Sequence, residues 1–271
     1  MLSIIIPTLN EEKYLPLLLE SIKRQDFKDY EIVIADAGSK DKTIEIAKKY
    51  GCKITKGGLP AEGKNRGAGA AKGEFLLFLD ADTVLPPQFL KNAISEFQKR
   101  KLDIGSFRLL SYEDNKLFQL GLYLFYNFPI VLLEKILPHA ATGILVKKKI
   151  FEKVKGFDTT VKLAEDHHLA RRIKKIGGSC GIIRSAVLFT SDRRFREDGL
   201  LRTSLKYLFC ELYMIFRGPV RSDIFEYKFD HYSSPRSKKD LFSLLLRKKK
   251  RSIIRYYKNN ENSRSKNSSK I

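Results

Sequence analysis

Phe75-Leu76-Leu77-Phe78-Leu79-Asp80-Ala81-Asp82 decides how this chain is read. Five apolar residues in a row, stopped by a turn, read as a strand buried on both faces, the form strands take in a parallel sheet covered by helices. The run ends on two carboxylates one residue apart, with Thr83 behind them. Open α/β sheets bind ligands in the crevice outside the carboxyl ends of their strands. Two acids in an arbitrary turn are merely solvated; at this strand tip they are placed for chemistry.

The same pattern repeats toward the N-terminus. Leu2 to Ile6 reads as an apolar strand followed by Pro7, Thr8 and Asn10. Glu31 to Ala35 reads as a second, ending at Asp36, with a turn at Gly38 and Ser39 and a helix through Tyr50. Lys53 to Thr55 is a short third strand, Ala61 to Lys72 a small-residue helix able to lie close to the sheet, and Phe89 to Lys99 a helix beginning near Pro86 or Pro87. Asn10 is expected to cap a helix with Glu11 and Glu12 in its first turn and Leu15, Leu18, Leu19 and Ile22 on its buried face. Strands alternating with helices define the α/β class. Three separate strand tips thus deliver polar groups to one rim.

The D-x-D pair suits Mg²⁺ or Mn²⁺, which prefer oxygen ligands and commonly sit between carboxylates and substrate phosphates. Glu165-Asp166 opens another helix, with Leu169, Ile173 and Ile176 as its expected apolar stripe. Gly63-Lys64-Asn65-Arg66-Gly67 is a basic segment, readable as a diphosphate contact or as a solvated helix face. Thr190-Ser191-Asp192-Arg193-Arg194-Phe195-Arg196 is a second; arginine forks suit phosphate, though a solvated loop also explains them. Thr142-Gly143 precedes the strand Ile144 to Val146.

Four of these segments, in order, resemble a non-processive family 2 glycosyltransferase of the GT-A fold. They are Ser3 to Glu11, Asp36 to Thr43, Phe78 to Asp82, and Gly156-Phe157-Asp158 followed by Glu165-Asp166; together they span roughly residues 2–190. The resemblance implies that Pro7, Thr8, Asn10, Glu11 and Asp36 line a nucleoside pocket, Asp36 binding the base. It implies that Asp80 touches ribose or metal, that Ala81 lies in the donor site, that Asp82 ligates Mg²⁺ or Mn²⁺, and that Lys64 contacts the donor where the family usually has arginine. It implies that Asp166 is the base that deprotonates the acceptor in an inverting transfer, while stabilisation of the helix N-terminus by Glu165 and Asp166 stays open as the plainer reading. Thr142, Gly143, Glu165, Arg193 and Arg194 are weaker candidates for acceptor or phosphate contacts. Helix capping for Asn10 and Glu11, and turn formation for Asp36, stay open as plainer readings. No Q-x-x-R-W motif occurs, which favours single-sugar transfer.

The net charge of +21 calls for polyanionic partners. Thirteen Lys or Arg against two acids lie between Arg236 and the end, so about half the excess sits in the tail. Leu117 to Leu137 is apolar but interrupted by Gln119, Asn127, Pro129 and Glu134, a pattern expected of core helices or of an element lying on a bilayer rather than a span. Leu200 to Phe216 reads as a basic amphipathic helix. The expected organisation is a GT-A domain over 1–199, an amphipathic extension over 200–235 and a basic tail over 236–271. The enzyme is expected to be cytoplasmic and peripheral at the inner membrane face, with a UDP- or GDP-sugar donor, a lipid-linked acceptor and an anionic lipid surface as partners. No leader is read at the start, and three scattered cysteines (Cys52, Cys180, Cys210) favour a reducing compartment. A nucleotidyltransferase is the rival enzyme, but Pro7 to Glu11 is not the Gly-rich loop it needs. A non-catalytic basic binder of nucleic acid or membrane is the other rival; no nucleic-acid-binding signature supports the first form.

Overall fold

The computed structural model of the chain describes residues 1–112, 116–140, 142–193, 199–222 and 224. Eight strands form one mixed sheet: β1 (Leu2–Thr8), β2 (Tyr30–Asp36), β3 (Lys53–Lys56), β4 (Phe75–Phe78), β5 (Thr83–Val84), β6 (Ile104–Ser111), β7 (Ile144–Lys147) and β8 (Cys180–Thr190). Their spatial order is β3-β2-β1-β4-β7-β6-β8-β5. The first four run parallel, with Thr8 opposite Asp36 and Ile5 opposite Phe78, so their carboxyl tips share one edge. β7 then pairs antiparallel to both β4 and β6. All but the first residue of β4 are buried, as a doubly covered strand requires.

Helices α1 (Leu15–Lys23), α2 (Thr43–Lys49) and α4 (Phe89–Lys99) cover one face, where Leu15, Leu18, Leu19, Ile22, Phe89 and Phe97 join the main core. Helices α3 (Pro60–Ala70), α7 (Lys148–Lys153) and α8 (Glu165–Lys175) cover the other, through Ala61, Ala68, Phe151, Leu169 and Ile173. The small residues of α3 do bring it onto the sheet: a Cβ on Gly67 would stand 2.4 Å from Ile5 Cγ2. Burying Leu169 and Ile173 contributes about 1.5–3 kcal/mol each and fixes α8. Ile176, expected on the same stripe, is exposed because α8 ends at Lys175 and Ile176 is its cap residue.

One local expectation is corrected. Asn10 caps no helix. α1 starts at Leu15 behind Tyr14, with no acid in its first turn. Asn10 instead takes a left-handed conformation (φ 54°), and its side-chain carbonyl accepts from the Lys40 amide at 2.8 Å. Asparagine tolerates that conformation where most residues do not.

Beyond β6 the chain forms α5 (Lys116–Leu122), a π-helical turn (Tyr123–Asn127) and α6 (Phe128–Leu132); later comes α9 (Leu200–Phe216), which packs against α5. Phe118, Leu122 and Ile130 face inward, while Leu117, Leu120, Tyr123, Leu124, Phe125, Phe128 and Leu132 are exposed. Among the described residues no helix is long and apolar enough to cross a membrane. The tail expected over 236–271 lies outside the described residues.

Candidate active site

The tips of β1 and β2 are tied by a hydrogen bond from Thr8 Oγ1 to Asp36 Oδ1 at 2.9 Å. Asp36 also accepts from the amides of Gly38 (2.9 Å) and Ser39 (2.8 Å) and from Ser39 Oγ (2.6 Å). Ser39 Oγ in turn accepts from the Asn10 amide at 2.8 Å, and Thr43 Oγ1 accepts from the Glu11 amide at 2.8 Å. Asp36 is thus the turn-former its plainer reading required. It also holds the β1 loop, with Pro7, Thr8, Asn10 and Glu11, at the rim.

Glu11 points from that loop toward the D-x-D pair. Arg193 joins them: its guanidinium donates to Glu11 at 3.1 and 3.3 Å, lies 3.5 Å from Asp82 Oδ2, and stacks 4.7 Å from the Tyr14 ring centroid. Ser191 Oγ donates to Asp82 Oδ2 at 2.5 Å. Arg193 is therefore no solvated loop residue; its side chain is 13% exposed. Burial pushes the Glu11 carboxyl up to about 7; Arg193 opposes the shift, and the charges of Asp82 and Asp80 add to it. Arg194 lies outside the described residues.

Asp80 follows β4, and its carbonyl accepts from the Thr83 amide (3.1 Å) and hydroxyl (2.7 Å), which shapes the turn that carries Ala81 and Asp82. Three acids here crowd one arginine. An all-oxygen, net negative set of this kind suits a hard divalent cation, with Asp80 and Asp82 as the residues to hold it.

A second cluster meets the first at Asp80. Lys64 on α3 is buried, and its ammonium donates to Asp166 Oδ1 at 2.6 Å and Glu165 Oε1 at 2.9 Å. It also lies 5.1 Å from the Phe157 ring centroid. Lys64 is neither a solvated helix residue nor, in this state, free to grip a phosphate. Although burial disfavours its charge, Asp166, Glu165 and Asp80 outweigh that and hold it protonated. One buried ammonium serves two part-buried carboxylates, so the pair titrates as a unit. Burial pushes Asp166 up to about 7; Lys64 opposes this, while Glu165 and Asp80 add to it. Glu165 stays low because Lys64 outweighs its burial.

Hydrogen bonds and ion pairs thus link Asp36 through Ser39 to Asn10, Glu11 through Arg193 to Asp82, and Lys64 to Asp166, and the charge of Asp80 acts on both Glu11 and the Lys64–Asp166 pair. The expected acceptor contacts fare differently. Gly143 is turned into the core: with φ +88°, a Cβ there would stand 2.9 Å from Leu188 and 3.0 Å from Phe107. Its smallness serves packing; Thr142 beside it is half-buried. Sequence reading passed over Tyr14 as a site residue and read Ser191 only as part of a basic cluster. Neither belongs to a spacing pattern, and only the antiparallel pairing of β5 with β8, Thr83 opposite Thr190, brings Ser191 to Asp82.

The family model described as "Glycosyl transferase family 2" matches residues 3–155. Among curated proteins, the poly(ribitol-phosphate) β-N-acetylglucosaminyltransferase TarS of Staphylococcus aureus is 36% identical over 112 residues, 38% of this chain and 20% of TarS. A PGL/p-HBAD biosynthesis glycosyltransferase of Mycobacterium tuberculosis is 43% identical over 94 residues, 31% of this chain and 36% of that protein. The matches thus span between a fifth and about a third of these relatives' length. Among solved structures, S. aureus TarS 1-349 in complex with UDP-GlcNAc superposes with a TM-score of 0.55 at 24% identity, covering 71% of this chain and 58% of that one. The mannosyltransferase PcManGT of Pyrobaculum calidifontis, in complex with GDP-Man and Mn²⁺, gives 0.59 at 22%, covering 77% and 64%. The mixed sheet with flanking helices is the GT-A fold.

Proposed function

The chain belongs to glycosyl transferase family 2, and from that premise we propose that it moves a single hexose, with inversion, from a UDP- or GDP-sugar to a lipid-linked acceptor at the cytoplasmic face of a membrane. The observation that carries this reading is the meeting of two clusters, Glu11–Arg193–Asp82 and Lys64–Glu165–Asp166, beside Asp80 at the tip of β4. The first cluster is donor-side. Asp36 and the β1 loop would receive the nucleoside, and Asp80 and Asp82 would hold Mg²⁺ or Mn²⁺. The ion, when bound, neutralises charge on the departing nucleoside diphosphate. Arg193 is a counter-charge for the same acids and would turn to the diphosphate when the ion takes its place. The second cluster is acceptor-side. Asp166, with its carboxyl near neutrality, is matched to take a proton from an attacking hydroxyl, and Lys64 orients it.

Calorimetry of UDP- and GDP-sugars with and without Mn²⁺ tests the donor half. One donor is expected to bind more tightly with Mn²⁺, and Asp82→Ala is expected to lose that gain, about tenfold or more. Identical titrations for both proteins would overturn it.

The membrane half is supported by the surface. On α9, Leu205, Leu208, Phe209, Leu212, Ile215 and Phe216 are exposed, and α9 packs against α5, which also carries exposed apolar side chains. An outward apolar face on two packed elements exceeds the scatter normal for a protein surface. Arg202, Arg217, Lys116 and Lys135 are exposed among these elements, and each basic group near an anionic surface is worth about 1 kcal/mol. Sedimentation with vesicles containing phosphatidylserine is expected to pull the protein down. Leu208→Glu with Phe209→Glu should weaken this at least about tenfold, since both apolar burial and charge attraction fall. Equal sedimentation of the two proteins would remove the membrane from the proposal.

A further inference from the structure

Outside the donor and acceptor clusters, three metal-ligating side chains converge from separate elements. His139 comes from the segment before β7, His167 from the first turn of α8, and Glu211 from the inner side of α9. His167 Nδ1 lies 2.9 Å from Glu211 Oε2, His139 Nε2 lies 3.9 Å from Glu211 Oε1, and the two imidazole centroids are 4.3 Å apart. All three ligand atoms lie within 4.8 Å of one another. We propose that His139, His167 and Glu211 form a transition-metal site, for a borderline divalent ion of the Zn²⁺ class, that fastens α9 to the first turn of α8.

The donor chemistry decides the ion class. Two imidazoles and a carboxylate suit Zn²⁺ and its neighbours, whereas Mg²⁺ and Mn²⁺ suit the all-oxygen cluster around Asp82. Tetrahedral Zn²⁺ with bonds near 2.0–2.1 Å sets ligand atoms about 3.3 Å apart, so the cluster must close by at most about 1.5 Å. Side-chain rotation covers that distance. Burial pushes His139 down to about 4, leaving it neutral at physiological pH. Glu211 is kept ionised: burial would raise it, but its hydrogen bond with His167 and the charge of Arg171 outweigh burial. Arg171, one turn along α8 from His167, donates to Glu211 Oε1. That is the outer partner a ligating carboxylate ordinarily has, and it leaves Oε2 turned toward His167. Three protein ligands leave a fourth position for water.

The placement gives the site a consequence. α9 already packs Cys210 and Met214 against Leu163, just ahead of Glu165 and Asp166. A metal bridge from α9 to His167 would lock the helix with the exposed apolar face to the helix that carries Asp166.

The test uses the full chain carrying Asp82→Ala, which weakens the carboxylate-rich cluster, stripped with EDTA and titrated with Co²⁺ or Zn²⁺ alone. The expected result is one equivalent bound, visible d–d bands of tetrahedral Co²⁺, and a rise in Tm with Zn²⁺. Adding His139→Ala should weaken binding about tenfold or more and remove the bands. His139 lies on a connecting segment, so this variant is the one expected to stay folded, checked by circular dichroism; Glu211→Gln is the second, removing the carboxylate charge while keeping its shape. No bound equivalent in the Asp82→Ala chain, or unchanged Co²⁺ bands in both added variants, would show that the three side chains form a hydrogen-bonded network and nothing more.

Discussion

Asp166→Asn is expected to lower kcat about 10²- to 10⁴-fold, the usual worth of a positioned general base, while donor affinity stays within about twofold. Asparagine keeps the shape and can still meet Lys64, so folding should survive. What it loses is the ability to take a proton. The pH dependence carries the sign. A base works deprotonated, and burial has pushed Asp166 up to about 7. In the wild type, kcat/KM for an alcohol acceptor should therefore fall about tenfold per unit as pH drops below about 7, and the variant should lose that limb. If the acceptor nucleophile is a phosphate, already ionised, both effects shrink together. A variant within about threefold of wild type on every alcohol acceptor that the enzyme uses would remove Asp166 from the chemistry.

Much of this site could be read from residue order. The run Phe75 to Leu79 announced a buried strand, and the structure supplies it as β4 with Asp80 and Asp82 at its tip. The small residues of the segment around Gly67 announced a helix close to the sheet, and Ile5 is where it touches. Other features could not be read in this way. Asn10 followed by two glutamates satisfies the local rules for a helix start, yet tertiary bonds to Ser39, Lys40 and Thr43 hold that segment as a loop and delay the helix to Leu15. Lys64 looked like one basic residue among several; its burial depends on α8 arriving 101 residues later. Gly143, a weaker candidate for an acceptor contact, proves to be where Phe107 and Leu188 pack too closely for a Cβ. Periodicity and strand tips are local and legible. Pairings between distant segments depend on the strand order, which places β7 and β8 among strands far from them in sequence.

Lys64 supplies the second large effect, because the two readings of it part in the measurement. If Lys64 mainly contacts the donor diphosphate, Lys64→Met should cost donor affinity and little stability. If its main partners are Glu165 and Asp166, as the 2.9 and 2.6 Å bonds indicate, the variant leaves two largely buried carboxylates (15% and 17% exposed) side by side without a counter-charge. Breaking a buried ion pair in this way costs about 3–5 kcal/mol. The loss should depend on pH. Without Lys64, burial and mutual repulsion raise both carboxyls above their unfolded values. An acid whose folded pKa is raised is tolerated while protonated and loses stability as pH rises past its unfolded value. The deficit relative to wild type should therefore be larger at pH 8 than at pH 5, measured as urea midpoints at both. A deficit under about 1 kcal/mol at pH 8, or one of equal size at the two pH values, would mean that the ammonium is not the counter-charge of this pair, and the assignment of Asp166 as a base oriented by Lys64 would fall with it.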